Sequence, residues 1–377
     1  MKNIVNLFFI SFSFSLFSQV ITVNSTTTVP NLVQNVLLSN NGVPACGGTI
    51  SNITWSTGSN FGQTNGIGSF TNTNPNFPLT NGLILTTGNV DAAPGPNTSI
   101  QSNGTNSWPG DAQLFSYIQG LGIDPGLISY NNASKLEFDF TPLTNVMSFD
   151  FVFASEEYGN FQCAYSDAFA FFLNNVTTGT PVENLALVPA TTTPISVITI
   201  RDMVNNTMCN SQNVGYFGAY YGGSSAAAAP INFNGRTVKM VASKAVVAGQ
   251  TYHIKFVVAD RNDSALDSAV FLGNFKIGEL ISGTGQYDNV IDFSNAVGQA
   301  VCANPLIIKA GPVPLSGATY QWTLNGTAIP GATGHTYTVL AAGTYCVTVT
   351  FASGCTQTDC IVVDYLPAIA VPFKVHW

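Results

Sequence analysis

The chain of 377 residues carries 11 basic and 19 acidic side chains, a net charge of −8, and only 8% charged residues in all. So acidic and charge-poor a composition lacks the clustered lysines and arginines that phosphate binding needs, which excludes nucleic acid as an expected partner. The length allows one large and one small domain.

Lys2 precedes an apolar, phenylalanine-rich run from Ile4 to Phe17, and Ser18 offers a small residue for cleavage before Gln19. This is the layout of a secretory signal peptide over residues 1–18, too short to span a bilayer. No later segment reads as a membrane helix, so the expectation is a secreted or cell-surface protein without an integral span. Seven cysteines fit an oxidising compartment. The odd count leaves one thiol unpaired or paired outside the chain, and the partner of Cys46 stays open.

From Val20 the chain is punctuated by Gly, Pro and Asn, with short alternating segments and no long amphipathic pattern. That predicts an all-β protein: a large jelly-roll-like β-sandwich over 19–280, followed by a small immunoglobulin-like β-sandwich. Cys46 to Trp55 and the apolar insert at 82–90 read as strands, and the Asn/Pro/Gly tract at 91–110 as a surface loop. Asp111 to Leu121 is the best short helix, with Asp111 placed as its N-cap. In residues 135–140 the apolar Leu136, Phe138 and Phe140 alternate with Lys135, Glu137 and Asp139, and Pro142 ends the strand.

The densest stretch is Phe149 to Leu173, FDFVFASEEYGNFQCAYSDAFAFFL. Phe149, Phe151 and Phe153 define one strand, and Phe169, Phe171 and Leu173 define the next. The acidic, aromatic loop between them carries Glu156, Glu157, Tyr158, Asp167 and Cys163, whose expected partner is Cys209. A second acidic run, ADRNDSALDSAVF, follows the strand that carries Tyr252, Ile254, Phe256 and Val258.

After a linker at 281–290, Cys302, Trp322 and Cys346 give the Cys–Trp–Cys order of an immunoglobulin-type module over 291–365. Tyr345 stands one residue before Cys346, not the two of a tyrosine corner. Cys355 and Cys360 are close enough to staple a final hairpin, and the tail 366–377 reads as the cut end of a longer protein.

Calcium takes six to eight oxygens from carboxylates, carbonyls and water, often on loops between rigid strands. Glu156, Glu157, Asp167, Asp260, Asp263 and Asp267 are the candidate ligands, if the two acidic runs meet in space. The commoner fate of such acids is to face solvent or to pair with Arg201 and Arg261. The same carboxylates could be drawn as the pair of a polysaccharide hydrolase, but nothing selects two of them. A Ser–His–Asp arrangement would have to use His253, on the outward face of its strand, and no nucleophile elbow is present. No catalytic residue and no organic cofactor is expected. Tyr158, Tyr165 and Asp167 are candidate contacts for a ligand, since loop aromatics beside polar groups often build sugar sites and interfaces.

The motifs FVFASEEYGNFQCAYSDAFAFFL, NLALVP and DSALDSAVFLGNF, in that order, resemble the choice-of-anchor L domain over roughly residues 30–280. That family occurs in secreted surface proteins, mainly of Bacteroidota, commonly followed by immunoglobulin-like or PKD-like modules, and the second module here is similar to those. The resemblance implies an address more than an activity. Residues 166–173 also resemble the aspartate-bearing strand of L-type lectins, which would put Asp167 at a sugar site near calcium. The expected function is non-catalytic binding or adhesion, braced by calcium, toward an extracellular glycan or surface protein. The alternatives are a secreted polysaccharide hydrolase and a structural stalk.

Overall fold

The computed structural model describes residues 20–276 and 306–363, apart from 38, 41–42, 45–47, 143–144, 311–313, 315–316 and 352–355. The expected signal peptide, linker and tail, with Cys46, Cys302 and Cys355, lie outside the described residues.

In chain order the principal strands of the first unit are β1 (Thr22–Asn24), β2 (Gly48–Ser56), β3 (Ile67–Thr71), β4 (Asn81–Thr86), β5 (Tyr130–Pro142) and β6 (Val146–Ser155). They continue as β7 (Ala168–Asn175), β8 (Phe217–Tyr220), β9 (Gly235–Thr237), β10 (Met240–Ala245), β11 (Tyr252–Arg261) and β12 (Ser268–Lys276). One sheet runs β1-β3-β4-β12-β6-β9-β8, with β10 also paired to β6. The second runs β7-β11-β5-β2, with the short Glu183–Asn184 on the outer edge of β7. The pairings within both sheets are antiparallel.

The two sheets pack face to face through the residues that alternation marks as inward. Phe149, Phe151 and Phe153 of β6 meet Phe169 and Phe171 of β7 and Phe256 of β11 in one buried cluster. Phe171 is its hub, with its ring centroid 3.9 Å from Phe149 and 4.0 Å from Phe256. The alternate residues are covered too. Val152 and Ala154 pack with Phe70, Phe77 and Phe271 on the outside of the first sheet. Ala168, Ala170 and Phe172 pack under helix α1 (Ala112–Leu121) on the outside of the second. Burial on both faces explains why β6, β7 and β12 read as near-continuous apolar runs.

Helix α1 starts where expected: the Asp111 carboxylate accepts from the Leu114 amide at 2.9 Å. Its other oxygen accepts from Lys255 Nζ at 2.7 Å. The polar face of β5 is likewise an ionic ladder. His253 sits between Glu137 (3.3 Å) and Asp139 (2.7 Å).

In the second unit β13 (Leu306–Lys309) pairs with β15 (Thr336–Val339), while β14 (Thr319–Leu324), β16 (Gly343–Thr350) and β17 (Thr356–Val363) form a separate sheet. Trp322 is fully buried and its Nε1 donates to the Gly334 carbonyl. The expected cysteine pattern is corrected here. Cys346 is bonded to Cys360, its cross-strand neighbour on β17, and not to Cys302. Cys360 is correspondingly not stapled to Cys355. The reason is parity: Tyr345, Val347 and Val349 point into the core, which turns Cys346 to the outer face. Tyr345 takes the inward place, and its hydroxyl donates to the Ala341 carbonyl at 2.9 Å.

Phe171→Ala empties the centre of the stack and should cost about 3–5 kcal/mol in denaturant unfolding. A loss below about 1 kcal/mol would show that the two sheets do not depend on this contact. His253 gives a pH signature. Glu137, and then Asp139, hold its imidazole above the ordinary value of 6.5. The stabilisation is therefore fully present below that ordinary value and lost as pH rises through the raised one. Thermal melts of His253→Gln should fall furthest below wild type in mild acid and converge with it in alkali; a gap independent of pH would contradict the assignment.

Candidate functional site

The two acidic runs do meet. β6 ends at Ser155 beside the first residue of β12, Ser268, and β7 begins at Ala168 beside Ala259 of β11. Strand ends therefore deliver Glu156, Glu157, Asp167, Asp260 and Asp267 to one region, and every one of them is at most 2% exposed. Asp263 does not join them. It lies on the exposed turn between β11 and β12, where its carboxylate accepts from the Ala265 amide at 2.9 Å.

Four of the five are held by the backbone. Glu156 Oε1 accepts from the Gln101 amide at 2.9 Å, and Glu157 Oε2 from the Asp167 amide at 2.8 Å. Asp167 accepts from the Arg261 amide at 2.9 Å and from Ser268 Oγ at 2.7 Å. Asp267 takes the Asn103 amide at 2.9 Å and Asn103 Nδ2 at 3.0 Å. Asp260 is different: neither of its oxygens has a hydrogen-bond partner. The Thr87 hydroxyl, which accepts from the Ser268 amide at 2.9 Å, stands near enough to ease its charge.

Burial dominates the electrostatics. It pushes Glu156 and Asp167 up to about 7 and holds Glu157, Asp260 and Asp267 above the usual carboxylate range. Mutual repulsion adds to the rise at Asp260, which feels Asp167, Asp267 and Glu157. Among the described residues no salt bridge reaches any of the five. The Arg261 guanidinium, expected as one of their partners, instead grips Asp124, with Nη2 2.7 Å from Oδ1. Arg201 donates to the carbonyls of Asn210 and Gln162. No three His, Cys, Asp or Glu side chains among the described residues are already grouped as a metal cage.

The loop at 97–109, read from sequence as a surface connection, is what closes this region. It carries Gln101 and Asn103 against the carboxylates and buries Trp108 completely, with Trp108 Nε1 donating to the Ala133 carbonyl. Sequence reasoning missed Gln101, Asn103, Asn132 and Ser268. The one local signal was a tryptophan inside an otherwise polar tract, which marks an anchored segment.

The expected ligand contacts divide. Tyr158 is fully buried against Phe217 (5.0 Å) and the glycine at 235, so it is a core residue and not a surface contact. Asp167 is buried as well and does not reach the surface. Tyr165 is 37% exposed and packs edge-on to Phe161, itself 41% exposed. Cys163, between them, is joined to Cys209 and ties this loop to the segment at 201–212. An open cleft of about 390 Å³ lies there, lined by Cys163, Thr199, Arg201, Gln212 and Asn213 among others.

No helix among the described residues is long and apolar enough to cross a membrane. No curated protein matches the chain. Among solved structures, a β-1,2-glucanase from Parabacteroides distasonis aligns at 12% identity with a TM-score of 0.14, covering 63% of this chain and 33% of that one. So low a score supports no inference about fold or activity. The model of the choice-of-anchor L domain, in contrast, matches residues 21–276, the whole of the two-sheet unit from β1 to the end of β12. With that match spanning most of its length, the chain belongs to the choice-of-anchor L domain family, which points to a surface-associated protein.

Proposed function

We propose that the protein is a secreted or cell-surface binding module without catalytic activity, which takes an extracellular glycan or surface protein at the loops tied by Cys163–Cys209. The observation that carries this reading is the pairing of half-exposed aromatics with a polar cleft on one braced loop. Phe161 and Tyr165 offer flat apolar faces, while Arg201, Gln212 and Asn213 offer donors and acceptors close by. Flat rings beside amide and guanidinium groups suit the mixed apolar and hydroxyl faces of a sugar. The disulfide limits the ordering cost of binding by holding the two loops together beforehand. A calcium ion in the acidic region would brace the strand ends beneath these loops and perform no chemistry.

Burial supports the non-catalytic reading over a polysaccharide hydrolase. A hydrolase must present one carboxyl group to the glycosidic oxygen and a second to the sugar ring. Glu156, Glu157, Asp167 and Asp260 all lie out of reach of a polymer in solution. A purely structural stalk would have no need of the aromatic pair.

Glycan-array and whole-cell binding by the full chain tests the reading. Replacing Phe161 and Tyr165 together by alanine should weaken binding by about tenfold or more, with the melting temperature little changed. Release of reducing sugar from any bound polysaccharide would overturn the non-catalytic assignment. Binding unaffected by the double substitution would move the ligand elsewhere.

A further inference from the structure

Asp260 has no explanation in the hydrogen bonding of the fold. A wholly buried carboxylate with both oxygens unpartnered is costly, and its strongest neighbours carry the same charge. Asn132 presents the same problem from β5, the strand paired with β11. Its Nδ2 donates to the carbonyls of Thr105 (2.7 Å) and Trp108 (3.3 Å), which leaves Oδ1 buried and unpartnered. The residue is held there with φ of 50°, a left-handed conformation that asparagine tolerates better than most side chains.

Gly104 places Asn132 beside the segment that holds Asp267. A Cβ at that position would stand 2.5 Å from Asn132 Oδ1 and 2.7 Å from the Ser264 carbonyl oxygen. The preceding residue, Asn103, holds Asp267 through its amide and its side chain. An amide oxygen and a carbonyl oxygen thus converge about a residue that has no side chain, next in the chain to the one that holds Asp267, whose charge Asp260 feels. A group crowded by acceptors and short of donors lacks positive charge.

We propose that this region is a site for a hard divalent cation, calcium by its ligand chemistry, anchored by the two free oxygens of Asp260 and completed by Asp267, Asn132 Oδ1 and the Ser264 carbonyl. Asp167, tied to the Arg261 amide and the Ser268 hydroxyl, sets the strand ends and supplies charge. The donor set is all oxygen, with neither thiolate nor imidazole, which disfavours zinc and other softer metals. Neutral amide and carbonyl oxygens mixed with carboxylates suit the large, flexible shell of calcium better than the strict octahedron of magnesium. Asp263, the sixth acid of the sequence motif, is not a ligand. The assignment narrows the calcium brace of the proposed function to named oxygens, and its test reads the ion alone, whatever the fate of the glycan.

The test uses the full chain stripped with EDTA, then melted in CaCl2, MgCl2 or NaCl at matched ionic strength. Calcium at about a hundred times its Kd should raise Tm by about 5 °C or more, and magnesium by much less. Asp260→Asn keeps the volume and removes the charge, so it should lose the calcium shift yet melt in EDTA at or above wild type. Asp263→Asn should keep the shift. Terbium titration of the wild type, read through emission sensitised by Trp108 or Tyr130 and displaced by calcium, gives an answer that does not depend on a variant folding. No shift and no terbium emission would overturn the site, leaving a proton or a buried water to satisfy Asp260. A full calcium shift in Asp260→Asn would overturn the choice of ligands.

Discussion

Burying carboxylates without basic partners is the constraint on which the rest of this protein depends. A carboxylate withdrawn from water keeps its charge only if donors or a cation replace the solvent. The fold supplies backbone amides to Glu156, Glu157, Asp167 and Asp267, drawn from Gln101, Asp167, Arg261 and Asn103, which offset part of the cost while burial still raises all four. Those amides belong to segments far apart in sequence, so the acidic region is also the clasp that joins loop 97–109, the end of β6, the start of β7 and the turn before β12. Asp260 alone is left outside this arrangement, which is why the cation assignment centres on it.

The phenylalanine stack and the acidic clasp do different work. The stack around Phe171 is non-directional and lies in the buried cluster that both sheets share, but it would tolerate several arrangements of the strand ends. The carboxylates are directional. Each amide they accept fixes a backbone position, and together they set the base from which the disulfide-tied loops project. Rigid support beneath exposed loops is the arrangement that the proposed binding role would need.

Much of this was legible in the sequence. The period-2 phenylalanines of β6 and β7, the alternation of 135–140, and the Asp111 cap follow from local rules that the tertiary structure does not override. The meeting of the two acidic runs was also legible, because both sit at the ends of strong strands. What was hidden depended on contacts distant in the chain. Tyr158 looks like a loop aromatic until the glycine at 235 and Phe217 close over it. Loop 97–109 is polar because its amides and side chains serve buried acids, a role that composition cannot separate from solvent exposure. The Cys–Trp–Cys order suggested a bridge between sheets, but parity along β16 decides which face a cysteine takes, and Tyr345 took the inner one.

The most direct measurement is native mass spectrometry of the full chain purified in calcium-containing buffer and desalted into volatile buffer. The expected result is one tightly held ion, heavier than the bare chain by one calcium less two protons, and its absence from Asp260→Asn prepared in the same way. A wild-type protein that sprays only as the bare chain, with its folded charge distribution intact, would contradict it and return Asp260 to the class of buried, protonated acids.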